Sequence, residues 1–264
     1  GERDGAMSGP IGLAPADLAL AATLLLVSAG LSIWLQLRLE WKLAIAATRM
    51  VVQLVLVGLV LKWLFVLVSP FWTGLAALAM VLFAGREAMA RQERKLTGWW
   101  GYGLGTTSML IAATLATVFA LTMQIRPEPW FGPRYSIPLL GMILGNAMTG
   151  VSLGLYTLTT GAWRERAAIE ARIALGAVLR GAMTAALMPI INSMAAAGVV
   201  SLPGMMTGQI LSGVEPMEAV KYQILVMFLI AGGTALGAFG AVIGGAYRLS
   251  DARHRLRLDR LSAA

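Results

Sequence analysis

Long apolar stretches, separated by short polar or charged connections, dominate the chain. A helix needs about 20 mostly apolar residues to cross the hydrocarbon core of a bilayer. Seven stretches reach that length, and we predict one spanning helix for each. They cover residues 17–37, 43–68, 70–90, 103–125, 138–161, 179–200 and 222–247. The pattern therefore predicts an all-α integral membrane protein with about seven transmembrane helices.

The apolar pattern is interrupted before the last span by VSLPGMMTGQILSGVEP, residues 200–216. Pro203 has no N–H to donate, and Gly204 adopts turns easily. Broken backbone at membrane depth is tolerated only where it is buried in protein or lines a cavity. We therefore expect a break, then a short re-entrant or interfacial helix over residues 205–211. Pro203 and Gly204, with Pro189 in the sixth span, are candidates for a gate or hinge.

Composition and charge placement agree with a membrane protein. The 264 residues are 58% hydrophobic and 13% charged, whereas soluble domains carry about 25% charged residues. Most of the 21 Lys and Arg residues fall in alternate connections and in the C-terminal tail. The positive-inside rule then predicts an outer N-terminus and a cytoplasmic C-terminus in a multi-pass protein of the cell (inner) membrane. We expect an N-terminal arm over residues 1–16, one transmembrane domain over 17–247 and a basic tail over 248–264.

The residues that most enzymes and metal sites require are scarce in this sequence. Cysteine is absent and the single histidine, His254, lies in the basic tail. The sequence contains neither the H-E-x-x-H motif of zinc proteases nor the G-x-x-x-x-G-K-[ST] motif that binds nucleotide phosphates. We therefore expect no catalytic residues, no cofactor bound by this chain and no nucleic-acid partner, and we leave metal ligands unassigned.

Small and polar residues inside the spans carry two further predictions. Glycines four residues apart let helix backbones approach closely, and we favour packing within one chain over a homodimer seam. The pairs are Gly141 and Gly145, Gly150 and Gly154, Gly233 and Gly237, and Gly240 and Gly244. Polar side chains in hydrocarbon either hydrogen-bond between helices or line a substrate path, and both alternatives stay open. The path candidates, with two methionines beside the break, are Gln53, Asn146, Asn192, Ser193, Met205, Met206 and Gln209.

The segment WRERAAIEARIALGAVLRG, residues 163–181, has an amphipathic helical pattern that is too short and too charged to span. One interpretation is a helix lying on the inner headgroups. However, Glu170 and Ala171, then Gly176, then a downstream Leu-Met-Pro resemble the "EAA…G…LP" coupling loop of ABC transporter permeases, which docks on a cytoplasmic ATPase. The resemblance implies a coupling loop over about 162–181, with contacts at Glu170, Ala171, Leu175, Gly176 and Ala177.

Further motifs lie on both sides of this segment. In chain order they are RMVVQL, VGLVLKWLF, GMILGNAM, AALMPIINSM, VSLPGMMTGQILSGVEP and AVKYQI. Together they resemble the FetB-type iron-export permeases, an ABC permease family whose plant relatives are half-transporters linked to aluminium tolerance. The resemblance covers about residues 17–247. One departure is that the chain between residues 177 and 185 is about two helical turns shorter than the family's pattern.

The resemblance implies a permease subunit that exports iron or another metal, with ATP and Mg²⁺ bound by a separate ATPase subunit. It also implies a permease homodimer. The plant relatives leave a nucleotide sugar or another small solute open as cargo. Two alternatives of other classes remain: an ATP-independent secondary carrier or channel, in which broken helices are also common, and a membrane scaffold that transports nothing.

Overall fold

The structure is a computed structural model that describes residues 15–36, 39–165, 175–250 and 257–263. Its internal contacts divide the chain into two units. Unit 1 comprises Gly1–Leu67 and Gly208–Glu215, and unit 2 comprises Val68–Thr207 and Pro216–Ala264. The predicted N-terminal arm lies outside the described residues, except for its last two positions.

Unit 1 contains a helical hairpin. Its helices are α1, Pro15–Trp34, and α2, Glu40–Leu67, which pack against each other. The buried hydroxyl of Ser32 donates a hydrogen bond to Glu40 Oε2 at 3.0 Å and accepts one from the backbone N–H of Leu39 at 2.9 Å. This one side chain therefore links the end of α1 to the start of α2.

Unit 2 contains most of the remaining helices and a small sheet. Its elements, with α7 shared between the units, are α3 Pro70–Ala90, β1 Arg94–Leu96, α4 Trp99–Phe119, α5 Pro133–Arg164, α6 Leu175–Ala196, α7 Gly204–Leu211, α8 Pro216–Leu249 and β2 Leu261–Ala263. A π-helical turn, Ala120–Ile125, extends α4, and a 3₁₀ turn, Leu258–Arg260, precedes β2.

Two helices begin more than one turn before the apolar runs that predicted them: α5 starts at Pro133 and α8 at Pro216. Helix α3 starts at Pro70, as predicted. Proline suits the first helical position because its missing N–H would have no intrahelical partner there and its φ is already helical. The predicted starts at residues 138 and 222 were therefore late by about one to two turns, since a hydropathy window detects the apolar run and not the helix.

Helix α5 lies at the centre of unit 2 and contacts α3, α4, α6 and α8. Its side chains Val151, Leu155 and Leu158 are almost completely buried. Gly150 and Gly154 bring it close to α6: a Cβ added at Gly150 would lie 2.9 Å from the backbone oxygen of Ala186. Packing within one chain is thus confirmed for this glycine pair, whereas Gly145 on the same helix faces open space.

The helical architecture is confirmed, and the structure adds a small sheet that the sequence did not predict. Strands β1 and β2 pair antiparallel, with Leu96 opposite Leu261, and Thr97 N–H donates to the Arg260 carbonyl at 2.8 Å. The basic tail therefore folds back onto the connection between α3 and α4. We call this two-stranded sheet the tail strap. Its strands have three residues each, too few for a period-two pattern to be noticed in the sequence.

Six described helices are long and apolar enough to cross a membrane: α2, α3, α4 with its π turn, α5, α6 from Gly176, and α8. The first predicted span is represented by a shorter apolar stretch, Leu20–Trp34. A short helix, α7, follows the break and begins within one residue of the prediction. Whether α7 enters a membrane stays a prediction, as do the sides on which the two termini lie.

Candidate functional site

A cavity of about 490 Å³ lies in unit 2 between α5, α6, α8 and the connection that follows α6. Three predicted path residues and one predicted hinge residue lie in its wall, which also contains residues that the sequence analysis did not select. The described lining residues are Asn146, Ile190, Asn192, Ser193, Ala196, Ala197, Ser201, Pro203, Met227 and Ile230. We call this space the polar cavity.

The polar groups of this wall are only partly satisfied by the protein. Asn146 Nδ2 donates to the carbonyl of Met142 at 2.9 Å, one turn back on α5, and its amide oxygen remains available as an acceptor. Ser193 Oγ donates to the carbonyl of Pro189 at 2.9 Å and keeps its lone pairs. Asn192 is exposed to the cavity. The site therefore presents hydroxyl and amide oxygens that can accept hydrogen bonds.

Pro189 lies inside α6, one turn before Ser193. Because proline cannot donate to the carbonyl four residues back, it weakens the helix where α6 meets the cavity. Pro203 lines the cavity itself, and Gly204 is the exposed first residue of α7. The predicted hinge residues thus lie at the two breaks that flank the polar cavity, although a hinge movement stays a prediction.

The other predicted path residues do not line this cavity. Met205 is half-buried and packs against the hydrophobic core. The next residue, Met206, is also half-buried. Gln53, on α2, is exposed, and Gln209 has a buried amide oxygen with no hydrogen-bond partner among the described residues. Both glutamines belong to unit 1, whereas the described lining residues all belong to unit 2.

Sequence reasoning missed Ser201 and the apolar wall supplied by Met227 and Ile230 of α8. It also missed Gln223, which is 8% exposed and whose Oε1 has no partner among the described residues. Gln223 lies one turn before Met227 on the same face of α8. A polar residue inside an apolar span is a recognised signal, so Gln223 was detectable, whereas the others depend on how helices pack.

The described wall of the polar cavity carries no charged side chain. Among the described residues, no three His, Cys, Asp or Glu side chains come together as a metal-binding group. The donors and acceptors present are amides and hydroxyls, so the site can hold a solute by hydrogen bonds. Direct chelation by imidazole, thiolate or carboxylate groups is not available from these residues.

The predicted coupling contacts fall partly outside the described residues. Glu170 and Ala171 lie in the undescribed segment. Leu175, Gly176 and Ala177 form the first turn of α6, and the last two are exposed. The predicted amphipathic helix over residues 163–181 therefore needs correction, since its last residues belong to a long, apolar helix that begins at Leu175, earlier than the predicted residue 179.

A basic and aromatic cluster surrounds the tail strap. The guanidinium of Arg94 lies 4.0 Å from the ring centroid of Trp163 at the end of α5, and that of Arg248 lies 5.2 Å from the ring of Trp100. Such cation–π contacts contribute about 0.5–1 kcal/mol at exposed sites. We call this region the basic end, and it includes the last residues of α5, which are also the first residues of the predicted coupling segment.

Within the tail, Arg257 forms two hydrogen bonds of 2.8 Å to the carboxylate of Asp259. These bonds, together with the positive charge of Arg257, lower the pKa of Asp259 to about 2. Arg260 Nη1 donates to the carbonyl of Arg248 at 2.7 Å, at the end of α8. Charged side chains therefore fix the turn that delivers β2 to β1.

The sequence profile of the uncharacterised protein family UPF0014 matches residues 15–249. A UPF0014 membrane protein of Synechocystis is 37% identical over 227 residues, 81% of this chain and 85% of that protein. The probable iron export permease protein FetB of Escherichia coli is 32% identical over 254 residues, 93% and 95% of the two chains. The protein ALUMINUM SENSITIVE 3 of Arabidopsis thaliana is 33% identical over 229 residues, 83% and 81%. No solved structure matches significantly. The chain, in whose described part six helices reach spanning length, therefore belongs to the UPF0014 family of membrane proteins.

Proposed function

We propose that this chain is the permease subunit of an ABC exporter that moves iron or another metal ion out of the cytoplasm. ATP and Mg²⁺ bind to a separate ATPase subunit, and the chain itself is not an enzyme. The observation that carries the proposal is the similarity to the probable iron export permease FetB of Escherichia coli, which extends over 93% of this chain.

The arrangement of α5 and α6 supports a coupled mechanism. The coupling segment connects the end of α5 to the start of α6, and both helices line the polar cavity through Asn146 and Asn192. At 1.5 Å per residue, Asn146 is about 27 Å from Arg164 along α5, and Asn192 is about 26 Å from Leu175 along α6. A force applied by the ATPase at this segment reaches the cavity along two helices at once.

The orientation follows from the same assignment. The basic end and the tail face the cytoplasm, where the ATPase binds, and the polar cavity lies toward the outer side of the inner membrane. Two permeases and two ATPases form the transporter. The concentration of arginines at the basic end supports this orientation, and the predicted hinge residues are Pro189, inside α6, and Pro203, directly before α7.

The proposal is tested with inside-out membrane vesicles that contain the chain and its copurified ATPase. We expect ATP-dependent accumulation of Fe²⁺ in the vesicles. Gly176→Leu places a bulky side chain at the exposed start of α6, where an added Cβ meets nothing within 4 Å. It should therefore fold, yet lower ATPase binding and Fe²⁺ accumulation about tenfold, as expected for a central interface position.

Gly74→Leu is the matched control, because Gly74 on α3 is also exposed with open space around its Cβ. This variant should accumulate Fe²⁺ as the unaltered protein does. Accumulation that needs no ATP, or that persists unchanged in Gly176→Leu, would contradict the ABC mechanism and favour a secondary carrier. ATPase activity stimulated by a small organic solute but by no metal ion would contradict the assigned cargo.

A further inference from the structure

We propose that the polar cavity takes its cargo cation with the ion's own ligand shell intact, as a hydrated complex held by hydrogen bonds and not by protein–metal bonds. The inference rests on the proposed function and adds the chemical state in which the cargo is recognised. It comes from the composition of the wall, from the hydrogen-bond groups left open in it, and from its size.

The wall lacks what is needed to strip water from a divalent ion. Removing an ion from water costs several kcal/mol even after the protein relaxes, and opposite charges must offset that cost. The described lining residues carry no carboxylate, imidazole or thiolate, the ligands that first-row divalent metals prefer in proteins. An ion that keeps its water ligands avoids the cost of losing them.

The groups that are present match a hydrated ion. Water bound to a cation is a strong hydrogen-bond donor and needs acceptors around it. Asn146 donates its Nδ2 to the backbone, so its oxygen remains as an acceptor, and Ser193 likewise keeps its oxygen lone pairs after donating to Pro189. One turn along α8 from the lining residue Met227, Gln223 does not line the cavity but is more than nine-tenths buried, and its amide oxygen has no partner among the described residues.

The helix geometry also favours a cation. α6 ends at Ala196, and its last turn supplies Ser193 and Ala196 to the wall. A helix C-terminus carries about half a negative charge from its aligned peptide dipoles. The carbonyls of Ser193 and Ala196 already accept backbone hydrogen bonds from residues 197–201, so this helix end gives the wall only a weak preference for a cation over an anion.

The volume is sufficient for the complete hydrated ion. Six water ligands in an octahedral shell occupy about 180 Å³ at about 30 Å³ per water molecule. The cavity volume of about 490 Å³ exceeds this more than twofold. The surplus leaves room for the ion to turn and for water between the shell and the wall.

The decisive probe is cobalt(III) hexaammine, an octahedral cation whose ligands donate hydrogen bonds but do not exchange. The complex of the chain with its ATPase is reconstituted in liposomes, and ATP hydrolysis stimulated by Fe²⁺ and by Mn²⁺ is measured. We expect the hexaammine ion to compete with both ions. An absence of competition, while Fe²⁺ and Mn²⁺ still stimulate hydrolysis, would overturn the inference and leave the proposed function standing.

Variants of the wall provide the second measurement. Asn146→Ala and Asn192→Ala should each raise the ion concentration needed for half-stimulation about fivefold, the effect of one hydrogen bond. The factor should be the same for Mn²⁺, Fe²⁺, Co²⁺ and Zn²⁺, because the wall contacts water and not metal. Losses that grow along the Irving–Williams order would instead show direct ligation and overturn the inference.

Thr122→Ala is the matched control, because Thr122 donates to a carbonyl four residues back, as Asn146 does, but does not line the cavity. It should leave every half-stimulation value unchanged. If the asparagine variants do not fold, the hexaammine measurement on the unaltered protein still decides. Stimulation by no metal ion at all would overturn the proposed function and the inference with it.

Discussion

Helices α2 and α5 are similar in length, 28 and 32 residues, but they differ in almost every other respect. In α2 only Leu64 is buried among its described side chains, whereas more than half of the most apolar stretch of α5 is buried. α2 is rich in Leu and Val and has a single glycine, Gly58, while α5 contains five glycines, several Ser and Thr residues and Asn146. The more apolar helix is thus the more exposed one.

The difference teaches what drives packing in this protein. In water, the more apolar helix would be buried, because burial removes apolar surface from solvent. Lipid tails are as apolar as leucine, so helices in a membrane associate through close packing and hydrogen bonds, which favours small and polar residues at the contact. α5 has those residues and forms the centre of unit 2. α2 has the side chains that a lipid environment accepts.

The largest effect is expected from overfilling the contact between α5 and α6. In Gly150→Leu the new side chain meets the backbone of Ala186, already 2.9 Å from an added Cβ, so α6 must move. We expect a loss of about 3 kcal/mol in the free energy of unfolding, measured by thermal unfolding in detergent. Gly145→Leu, in open space on the same helix, should change stability little. Equal losses would show that the close contact between α5 and α6 at Gly150 does not determine stability.

A smaller loss is expected from removing a buried side chain. Leu158 on α5 is 0% exposed, and Leu59 on α2 is 61% exposed. Leu158→Ala leaves a cavity and should lower the free energy of unfolding by about 2 kcal/mol, the lower part of the usual range, because transfer to lipid contributes nothing. Leu59→Ala should cost below about 0.5 kcal/mol. A lower melting temperature for Leu59→Ala than for Leu158→Ala would contradict the difference between the two helices.

The cation–π contact at the end of α5 should contribute less to the free energy of unfolding than the buried side chain does. Arg94→Gln removes the guanidinium that lies 4.0 Å from the Trp163 ring and should cost about 0.5–1 kcal/mol. The change also frees the end of α5 beside the predicted coupling segment, so ATP hydrolysis should become less dependent on cargo. Arg91→Gln, at an exposed position, is the control, and an identical response of the two variants would rule out a role for the ring contact.

The smallest effect concerns pH. The pKa of Asp259 is lowered to about 2 by its hydrogen bonds to Arg257, whereas an unfolded aspartate has a pKa of about 3.9. The ionised Asp259 carboxylate therefore stabilises the folded tail fully above about pH 4, and this stabilisation is lost as the pH falls through 2. We expect the amide of Leu261 to exchange hydrogen at a constant protection factor from pH 5 to 8, and to lose protection at pH 3 and below. A decline between pH 8 and 6 would contradict this assignment.

Much of the helical framework could be predicted from the sequence because spanning length and apolar composition are local properties. The break at Pro203 and the short helix after it were also predictable, since proline and glycine act locally. The starts of α5 and α8 were not located correctly, because Pro133 and Pro216 extend each helix beyond its apolar run.

The site was only partly predictable. Asn146, Asn192 and Ser193 could be selected as polar residues inside spans, and the structure brings them into one wall. Ser201 and Met227 could not, because their positions depend on the approach of α8 and on the course of the connection after α6. The tail strap was also missed, because its strands lie far apart in sequence and depend on tertiary pairing.

The tail strap has a consequence for the order in which the protein is made. Strand β2 follows the described helices in the chain, whereas β1 lies between α3 and α4. Since a ribosome adds about 5–20 residues per second, β1 waits on the order of ten seconds for the strand that pairs with it. Strand β1, between α3 and α4, is therefore paired only after all the described helices have been synthesised. A chain whose synthesis stops before β2 leaves the edge of β1 unpaired and open to pairing with another chain.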